Sequence, residues 1–405
     1  MVDIENIKNV TVVGAGLMGA GIAQLALIAG FKKVVLNDIK MEFIERGVKQ
    51  IEYGAYEKRQ GLRALESRGK LGEGITTEAL LGRLVKEVDL AKAVEDADFV
   101  VEAVPEVMKI KQEVFKKLGK YTPLHAILAT NTSTMSITKI GRFSGRPKQV
   151  IGMHFNTPLL GNRLIEVIRG QYTSDEVMDA CVAFGEKFPC PYFKSKMYVA
   201  RIEKERPGFI VNRLFCANAI YFNWIATKAL EKGIPWEQLD ADMAITGKEM
   251  GFFEILDYIG LDVICDGIKY LKETLTPDIE AKKFLIDMVK AGNLGAKTGK
   301  GFYEWPKGGR PKIDKSKKAG LIDLEYLMAI QLNEGCRILE EGVVKGYNII
   351  NKTIMAIGMP SAFTMAKTNY QKWAKMLEDL AEKTGKNYLK PCALMKSGDF
   401  LNMRK

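Results

Sequence analysis

Val10-Thr11-Val12-Val13-Gly14-Ala15-Gly16-Leu17-Met18-Gly19 is the stretch that decides how the amino-terminal half of the chain folds. Val10–Val13 is short, apolar and β-branched, which favours a strand. Ala20–Ala29 carries small and aliphatic residues suited to a helix. The G-x-G-x-x-G between them is weak evidence alone. Here a strand precedes it and a helix follows it. A second β-rich run, Lys33–Leu36, then leads to Asp38, nineteen residues beyond Gly19. The dinucleotide fingerprint places its acid about 20 residues on. Gly14 permits the tight turn, Gly16 lets a pyrophosphate approach the backbone, and Gly19 lets the helix pack close to the strand. The helix start at Leu17 and Met18 offers free N–H groups and a positive dipole end to phosphates. Asp38 would accept hydrogen bonds from ribose hydroxyls and repel a 2′-phosphate, so NAD is expected rather than NADP. A packing turn without a ligand is the competing reading, and the joint register of strand, helix and acid argues against it.

The 405 residues call for two or three domains at ~100–200 residues each. With 47% hydrophobic and 27% charged residues, the composition is globular and excludes disorder, collagen and coiled coil. The net charge of +11 suits an anionic partner: nucleic acid, an anionic membrane or a polyphosphorylated small molecule. The apolar stretch from Val10 to Phe31 has the length of a membrane span. Four glycines crowd one half of it, and Asp3 and Glu5 stand where a secretory signal would be basic. It therefore reads as a buried strand–turn–helix. No two of the cysteines at 181, 190, 216, 265, 336 and 392 form a C-x-x-C pair. Neither a zinc cluster nor a disulfide framework is expected, and reduced thiols in a cytoplasmic protein are the simple reading. With only His125 and His154, a three-histidine metal site is impossible within one chain, and no metal is expected.

Further buried strands are expected at Asp98–Val104, Ala126–Ala129, Val150–Phe155 and Arg163–Ile168. Polar residues stand where these runs stop: Glu106, Asn131-Thr132-Ser133 and His154. In open parallel sheets the ligand crevice lies at the carboxyl ends of the strands. Ser133 by itself is equally a turn residue or a helix cap. His125 opens a strand with no acid close behind it and reads as structural or surface. His154 ends a strand, and Glu166 follows twelve residues later on the next one. Adjacent strands could set the two side by side, the carboxylate fixing the imidazole's tautomer and stabilising its charged form. A dehydrogenase needs such a base to take a hydroxyl proton while hydride leaves the same carbon; a structural histidine–carboxylate pair is the alternative. Met41–Leu71 reads as charged and helical. Most of its cations suit a solvated face, with a basic prong around Lys58 and Arg59 for a phosphorylated substrate tail as the functional option. Residues 184–206, with Pro-Cys-Pro and mixed charge, read as a linker or surface excursion.

From Pro207 the pattern turns helical. A long helix reaches about Lys232, and Asn212 sits among apolar neighbours, so its amide needs a partner: another helix, the substrate or His154. The chain then repeats itself. Ala229-Leu-Glu-Lys-Gly233 precedes Met243-Ala-Ile-Thr-Gly247, and Ile338-Leu-Glu-Glu-Gly342 precedes Met355-Ala-Ile-Gly358. Two similar helical units are expected, joined by a basic, Pro- and Gly-containing stretch at 305–318. The fold class expected is a Rossmann-type α/β domain with a mostly parallel sheet, followed by an all-α region of two similar units. The boundaries are 1–203, 204–310 and 311–405.

In combination these residues resemble the (S)-3-hydroxyacyl-CoA dehydrogenases, including the 3-hydroxybutyryl-CoA dehydrogenases. The resemblance rests on Val13–Gln24, Phe99-Val-Val-Glu-Ala103, Asn131-Thr-Ser133, His154 with Glu166, Pro207-Gly-Phe-Ile-Val-Asn-Arg213 and Gly295-Ala-Lys-Thr-Gly-Lys-Gly-Phe-Tyr303. It covers roughly residues 7–305, and the second helical copy resembles longer members that duplicate this domain. The resemblance implies His154 as general base with Glu166 as its partner. Ser133 and Asn212 would position the substrate and stabilise oxygen charge. Glu106, Lys111 and Lys297 would contact NAD together with Ser133 and Asn156, and the substrate would be an acyl-CoA, short-chain by likeness. No nucleic acid or membrane partner is implied. An enoyl-CoA hydratase is a candidate working partner, and the second copy allows a monomer that is an internal pseudo-dimer as well as a homodimer. The chain departs from the family's His-Phe-Phe-Asn-Pro, reading His154-Phe155-Asn156-Thr157-Pro158, and from its usual form in the loop 247–253. Two alternatives stay open: a non-catalytic NAD-binding or structural protein, and a β-hydroxyacid dehydrogenase acting on a non-CoA substrate. The second expects a lysine four residues before its asparagine, where this chain has Gly208.

Overall fold

The structure, a computed structural model, describes residues 4–54, 60–157, 159–193, 195–244, 250–307 and 309–405. The chain divides into two compact units. The first comprises residues 1–209 and 342–360, the second residues 210–341 and 361–404. Among the described residues no helix is long and apolar enough to cross a membrane.

The first unit is built on an eight-stranded sheet. Its strands are β1 (Asn9–Val13), β2 (Lys33–Asn37), β3 (Leu84–Glu87), β4 (Phe99–Glu102), β5 (Ile127–Thr130), β6 (Val150–Phe155), β7 (Leu164–Ile168) and, at one edge, the segment Tyr198–Ile202. The short pair Pro189–Cys190 and Ser195–Lys196 forms a separate hairpin, so the edge segment is β10 in chain order. The spatial order is β10-β7-β6-β5-β4-β1-β2-β3, and only the β6–β7 pairing is antiparallel. The six strands from β3 to β6 therefore share one direction, in the 3-2-1-4-5-6 order of a Rossmann sheet. Both faces are covered, so β4, β5, β6 and β7 are buried along their whole length.

The turn after β1 has the expected construction. Gly14 adopts φ +104° and a Cβ there would stand 2.6 Å from the Ala103 carbonyl oxygen. A Cβ on Gly19, in the helix α1 (Leu17–Ile28), would overlap the Gly14 carbonyl oxygen, whereas one on Gly16 would meet nothing within 4 Å. The stretch Val10 to Phe31 is thus strand, turn and buried helix.

One expectation is corrected. Residues 184–206 are not merely a linker or surface excursion, because Tyr198–Ile202 pairs in parallel with β7 and closes the sheet edge. Its outer side is covered by the helix Tyr347–Ala356, whose Thr353 bonds Tyr198. The edge strand alternates buried and half-buried residues amid charged neighbours, which hid it.

The second unit is helical. The long helices Val211–Glu231 and Leu324–Glu340 pack against each other. Between them Arg213, fully buried, meets Glu334 Oε1 at 2.5 Å and Glu341 Oε2 at 2.9 Å, and the Tyr388 hydroxyl donates to Glu334. Short helices Trp236–Met243 and Phe252–Ile259 are joined by Asp240, whose carboxylate accepts the N–H groups of Phe253 and Glu254 and the Tyr303 hydroxyl.

The glycine turn makes a quantitative prediction. Gly19→Ala should lower stability by about 1–3 kcal/mol, because its methyl group overlaps a carbonyl that cannot retreat. Gly16→Ala should leave the unfolding midpoint in place. Thermal unfolding followed by circular dichroism checks both; equal midpoints for the two variants would refute the tight α1–β1 contact.

Candidate active site

Because β1, β2, β4, β5 and β6 run the same way, whatever follows each of them gathers at one edge of the sheet. After β1 come Gly14–Gly16 and the start of α1, whose N-cap Gly16 makes no side-chain cap bond. After β2 comes Asp38. Its Oδ2 accepts the Ala15 N–H at 2.7 Å and Oδ1 accepts that of Ile39 at 2.7 Å, which ties the acid to the glycine turn. The residues fit a dinucleotide. Open space faces Gly16, free N–H groups lie at the helix start, and a carboxylate stands beside the turn.

His154 is the fifth residue of β6, and antiparallel pairing sets it directly opposite Glu166 of β7. His154 Nδ1 lies 2.8 Å from Glu166 Oε2, with the His154 side chain 8% exposed and Glu166 fully buried. Nε2 is thereby the ring nitrogen turned away from the carboxylate. The Phe209 ring lies 5.8 Å from the imidazole. Phe209 holds φ +50°, the one positive value at a non-glycine among the described residues, and this strain sits beside the histidine. His125 is elsewhere: it precedes β5, is well exposed, and meets Asp98, which precedes β4, at 2.9 Å. That pair belongs to the amino-end edge of the sheet.

The turn after β5 carries Ser133, half-buried. Its N–H donates to Glu106 Oε1 at 2.9 Å and its hydroxyl lies 3.4 Å from the same oxygen, as Thr132 Oγ1 does at 2.5 Å. Behind Glu106 stands Lys111, from the helix Met108–Tyr121, 3.1 Å from Glu106 Oε2 and 2.8 Å from Glu102 Oε1. Lys111 is 1% exposed and Glu102 not at all. Burial pushes the Glu102 carboxyl above the usual range, against the pull of Lys111. Burial also works against the Lys111 charge, but the two glutamates hold its ammonium above its ordinary value. Burial would raise Glu106 as well, yet Lys111 and the Thr132 and Ser133 donors bring it below the carboxylate range.

The first unit thus brings together Gly14, Gly16, Leu17, Met18, Gly19, Asp38, Glu106, Lys111, Ser133, His154, Asn156 and Glu166. Asn156 follows β6; its Nδ2 is buried and has no hydrogen-bond partner among the described residues. Thr157 Oγ1 stands 3.3 Å from Met18 Sδ. Asn212 and Lys297 lie in the second unit. Asn212 sits in the first turn of Val211–Glu231, and Lys297 Nζ is held by both Asp262 oxygens at 2.5 Å. Lys58 and Arg59 lie outside the described residues, as do residues 247–249 of the 247–253 loop. Arg63 of the same charged segment bridges Glu52 and Glu78. The reading from sequence passed over Glu102 as a site residue. A glutamate closing the apolar run Phe99–Val101 was the available signal, since a buried carboxylate demands a partner.

Comparison with known proteins shows what the chain is similar to. The family model described as the 3-hydroxyacyl-CoA dehydrogenase NAD binding domain matches residues 9–189, and that of the C-terminal domain matches residues 208–305. A probable 3-hydroxybutyryl-CoA dehydrogenase from Deinococcus radiodurans is 37% identical over 73% of this chain and 99% of its own. The mitochondrial hydroxyacyl-coenzyme A dehydrogenase of Mus musculus is 36% identical over 74% of this chain and 91% of its own. The crystal structure of a 3-hydroxybutyryl-CoA dehydrogenase from Escherichia coli K12 superposes with a TM-score of 0.77 at 25% identity, covering 98% of this chain and 99% of that one.

Replacing Lys111 by Met leaves the buried Glu102 without its counter-ion and should cost about 3–5 kcal/mol. The pH response should also change, because Glu102, already raised in the wild type, rises further without its counter-ion. In the wild type, the depressed Glu106 carboxyl contributes stability above the carboxylate range that is lost as pH falls through it. In the variant, Glu102 rises further, and a raised carboxyl contributes stability at low pH that is lost as pH rises. Unfolding midpoints at about pH 7 and about pH 5 should therefore show the gap between the two proteins narrowing on acidification; a gap that widens would contradict the ion triad.

Proposed function

The chain belongs to the 3-hydroxyacyl-CoA dehydrogenase family, and from that membership we propose that it oxidises short-chain (S)-3-hydroxyacyl-CoA, such as (S)-3-hydroxybutyryl-CoA, to the 3-oxoacyl-CoA with His154 as general base. Oxidation of hydroxyacyl-CoA with NAD is the activity of the family. Bound NAD supplies the hydride acceptor. The observation that carries the proposal is the His154–Glu166 pair at the sheet edge where the glycine turn also lies.

His154 takes the 3-hydroxyl proton on Nε2. Glu166, bonded to Nδ1, keeps the imidazole in the tautomer with Nε2 unprotonated and then stabilises the imidazolium that forms. Ser133 and Asn212 orient the substrate and bear the oxygen's developing charge. Asp38 holds the ribose hydroxyls, and the start of α1 holds the phosphates. Glu106, Asn156 and Lys297 complete the cofactor contacts, with Lys111 acting from behind Glu106, since it is enclosed. In the reverse direction the same histidine returns the proton. The +11 charge suits the phosphates of NAD and CoA. We further propose that residues 204–310 and 311–405 are two copies of one helical unit, making the chain a pseudo-dimer in itself.

His154→Gln should lower kcat by about 10²–10⁴-fold while NAD still binds, as expected when a general base is lost. NADH formation from (S)-3-hydroxyacyl-CoA of short, medium and long chain, with NAD and with NADP, measures this and the chain-length preference together. A variant with near-normal kcat would remove His154 from its role. Greater kcat/KM on long chains would overturn the substrate reading alone.

A further inference from the structure

Glu102 has no part in the reaction as described, yet both of its carboxylate oxygens are partnered at the carboxyl edge of the sheet. Its Oε1 receives Lys111 Nζ at 2.8 Å and the Val104 N–H at 2.8 Å, and its Oε2 receives the Thr130 hydroxyl at 2.7 Å. These partners come from the end of β4, the helix after it and the end of β5. A buried ion pair is a poor source of stability, because apolar residues of like volume hold a core equally well. What the pair does supply is a fixed place for the Lys111 ammonium, which has the Val104 carbonyl as a further acceptor at 3.3 Å. From that place Lys111 reaches Glu106, whose side chain is 38% exposed and has room to turn toward solvent. Held by Lys111, Glu106 receives the Thr132 hydroxyl and the Ser133 N–H. The chain of contacts thus runs from the sheet interior to the residue that meets substrate.

We propose that Glu102 is a positioning residue for the reaction: through Lys111 and Glu106 it sets the Thr132–Ser133 turn, and so the placement of the Ser133 hydroxyl against the substrate oxygen. The inference rests on the reading of Ser133 as a substrate-positioning residue. Thr130 belongs to the same arrangement, since its hydroxyl joins Glu102 and also stands 3.3 Å from the Thr132 N–H.

The test compares Glu102→Gln, Thr130→Val, Ser133→Ala and the double variant Glu102→Gln/Ser133→Ala in (S)-3-hydroxybutyryl-CoA oxidation, with unfolding midpoints and NAD binding recorded for each. Glu102→Gln should lose about 10–100-fold in kcat, as supporting-residue changes and small misplacements do. Substrate KM should stay within about threefold, and NAD affinity should fall less than kcat, because Glu106 is displaced rather than removed. The double variant should be no slower than Ser133→Ala alone, since both changes disable one unit. Thr130→Val, which keeps the charge and the volume, should lower kcat in the same direction but less. It decides the matter should Glu102→Gln fail to fold. Unchanged kcat with only a lower midpoint, or losses that multiply in the double variant, would overturn the proposal while leaving the role of Ser133 intact. Near-normal kcat in Ser133→Ala would instead overturn the reading of Ser133 and this inference with it.

Discussion

Between Gly19 and the Gly14 carbonyl there is no room for a single methyl group, and that contact orients the rest of the first unit. With α1 pressed onto β1, its amino end points past the end of the strand, at the place where strand order reverses between β1 and β4. The Gly14 N–H donates to the Asn37 carbonyl, and Asp38 holds Ala15, so the corner of β1, α1 and β2 is knit by backbone bonds. Once that corner is set, parallel pairing carries it along the sheet. Each further strand delivers its following residues to the same edge: Glu102 to Glu106 after β4, Thr132 and Ser133 after β5, His154 at the end of β6. The reversal at β7 is what brings a carboxylate back beside the histidine. A parallel β7 would have run through the sheet in the other sense and placed Glu166 out of register with it.

Buried charge is handled differently in the two units, and the difference is chemical. In the first unit Glu102 and Glu166 face cationic or ionisable side chains, so they fix the position of a side chain. In the second unit Asp240 and Asp257 face backbone N–H groups. Asp257 accepts those of Phe302 and Tyr303 and the indole N–H of Trp305, so it fixes a turn. Without a cation, burial dominates, and Asp240 is pushed up to about 6. Glu254, which meets Arg310 and Lys315, and Arg213 depart from this pattern in that unit. The Arg213 fork meets Glu334 on the facing helix and Glu341 just past that helix's end, which sets the register of two long helices that apolar packing alone leaves free to slide.

How much of this was legible follows from whether the signal was local. The glycine turn was legible because strand, turn, helix and acid lie within thirty residues and each constrains the next. His154 and Glu166 were legible because antiparallel neighbours joined by a short connection have few possible registers. The strand Tyr198–Ile202 was not. It pairs across the sheet edge with a strand thirty residues earlier, and its Arg201 reaches Asp179 and Glu203, so its composition imitates a surface segment. The partners of Glu102 were hidden for a related reason. The sequence shows an acid in an apolar run, but only the stacking of β4, β5 and the intervening helix says which cation and which hydroxyl answer it. Arg213 and Glu334, over a hundred residues apart, lay wholly beyond local reading.

The turn residue Asn131 spends its side-chain oxygen on the Phe155 N–H, which pins the end of β6 to the end of β5. Where the motif that the chain resembles has Phe-Asn, this chain carries Asn156-Thr157. Among the described residues the Thr157 hydroxyl meets the Met18 thioether, a weak acceptor, and the Thr157 carbonyl is taken by Asn162. Asn156 keeps a buried amide N–H₂ with no partner among the described residues. A buried donor is costly unless something accepts from it. An asparagine stands one position earlier than in the motif the chain resembles, and its unspent donor lies beside the strand end that bears the histidine. That is why Asn156, rather than Thr157, is our candidate for the amide's role toward the cofactor.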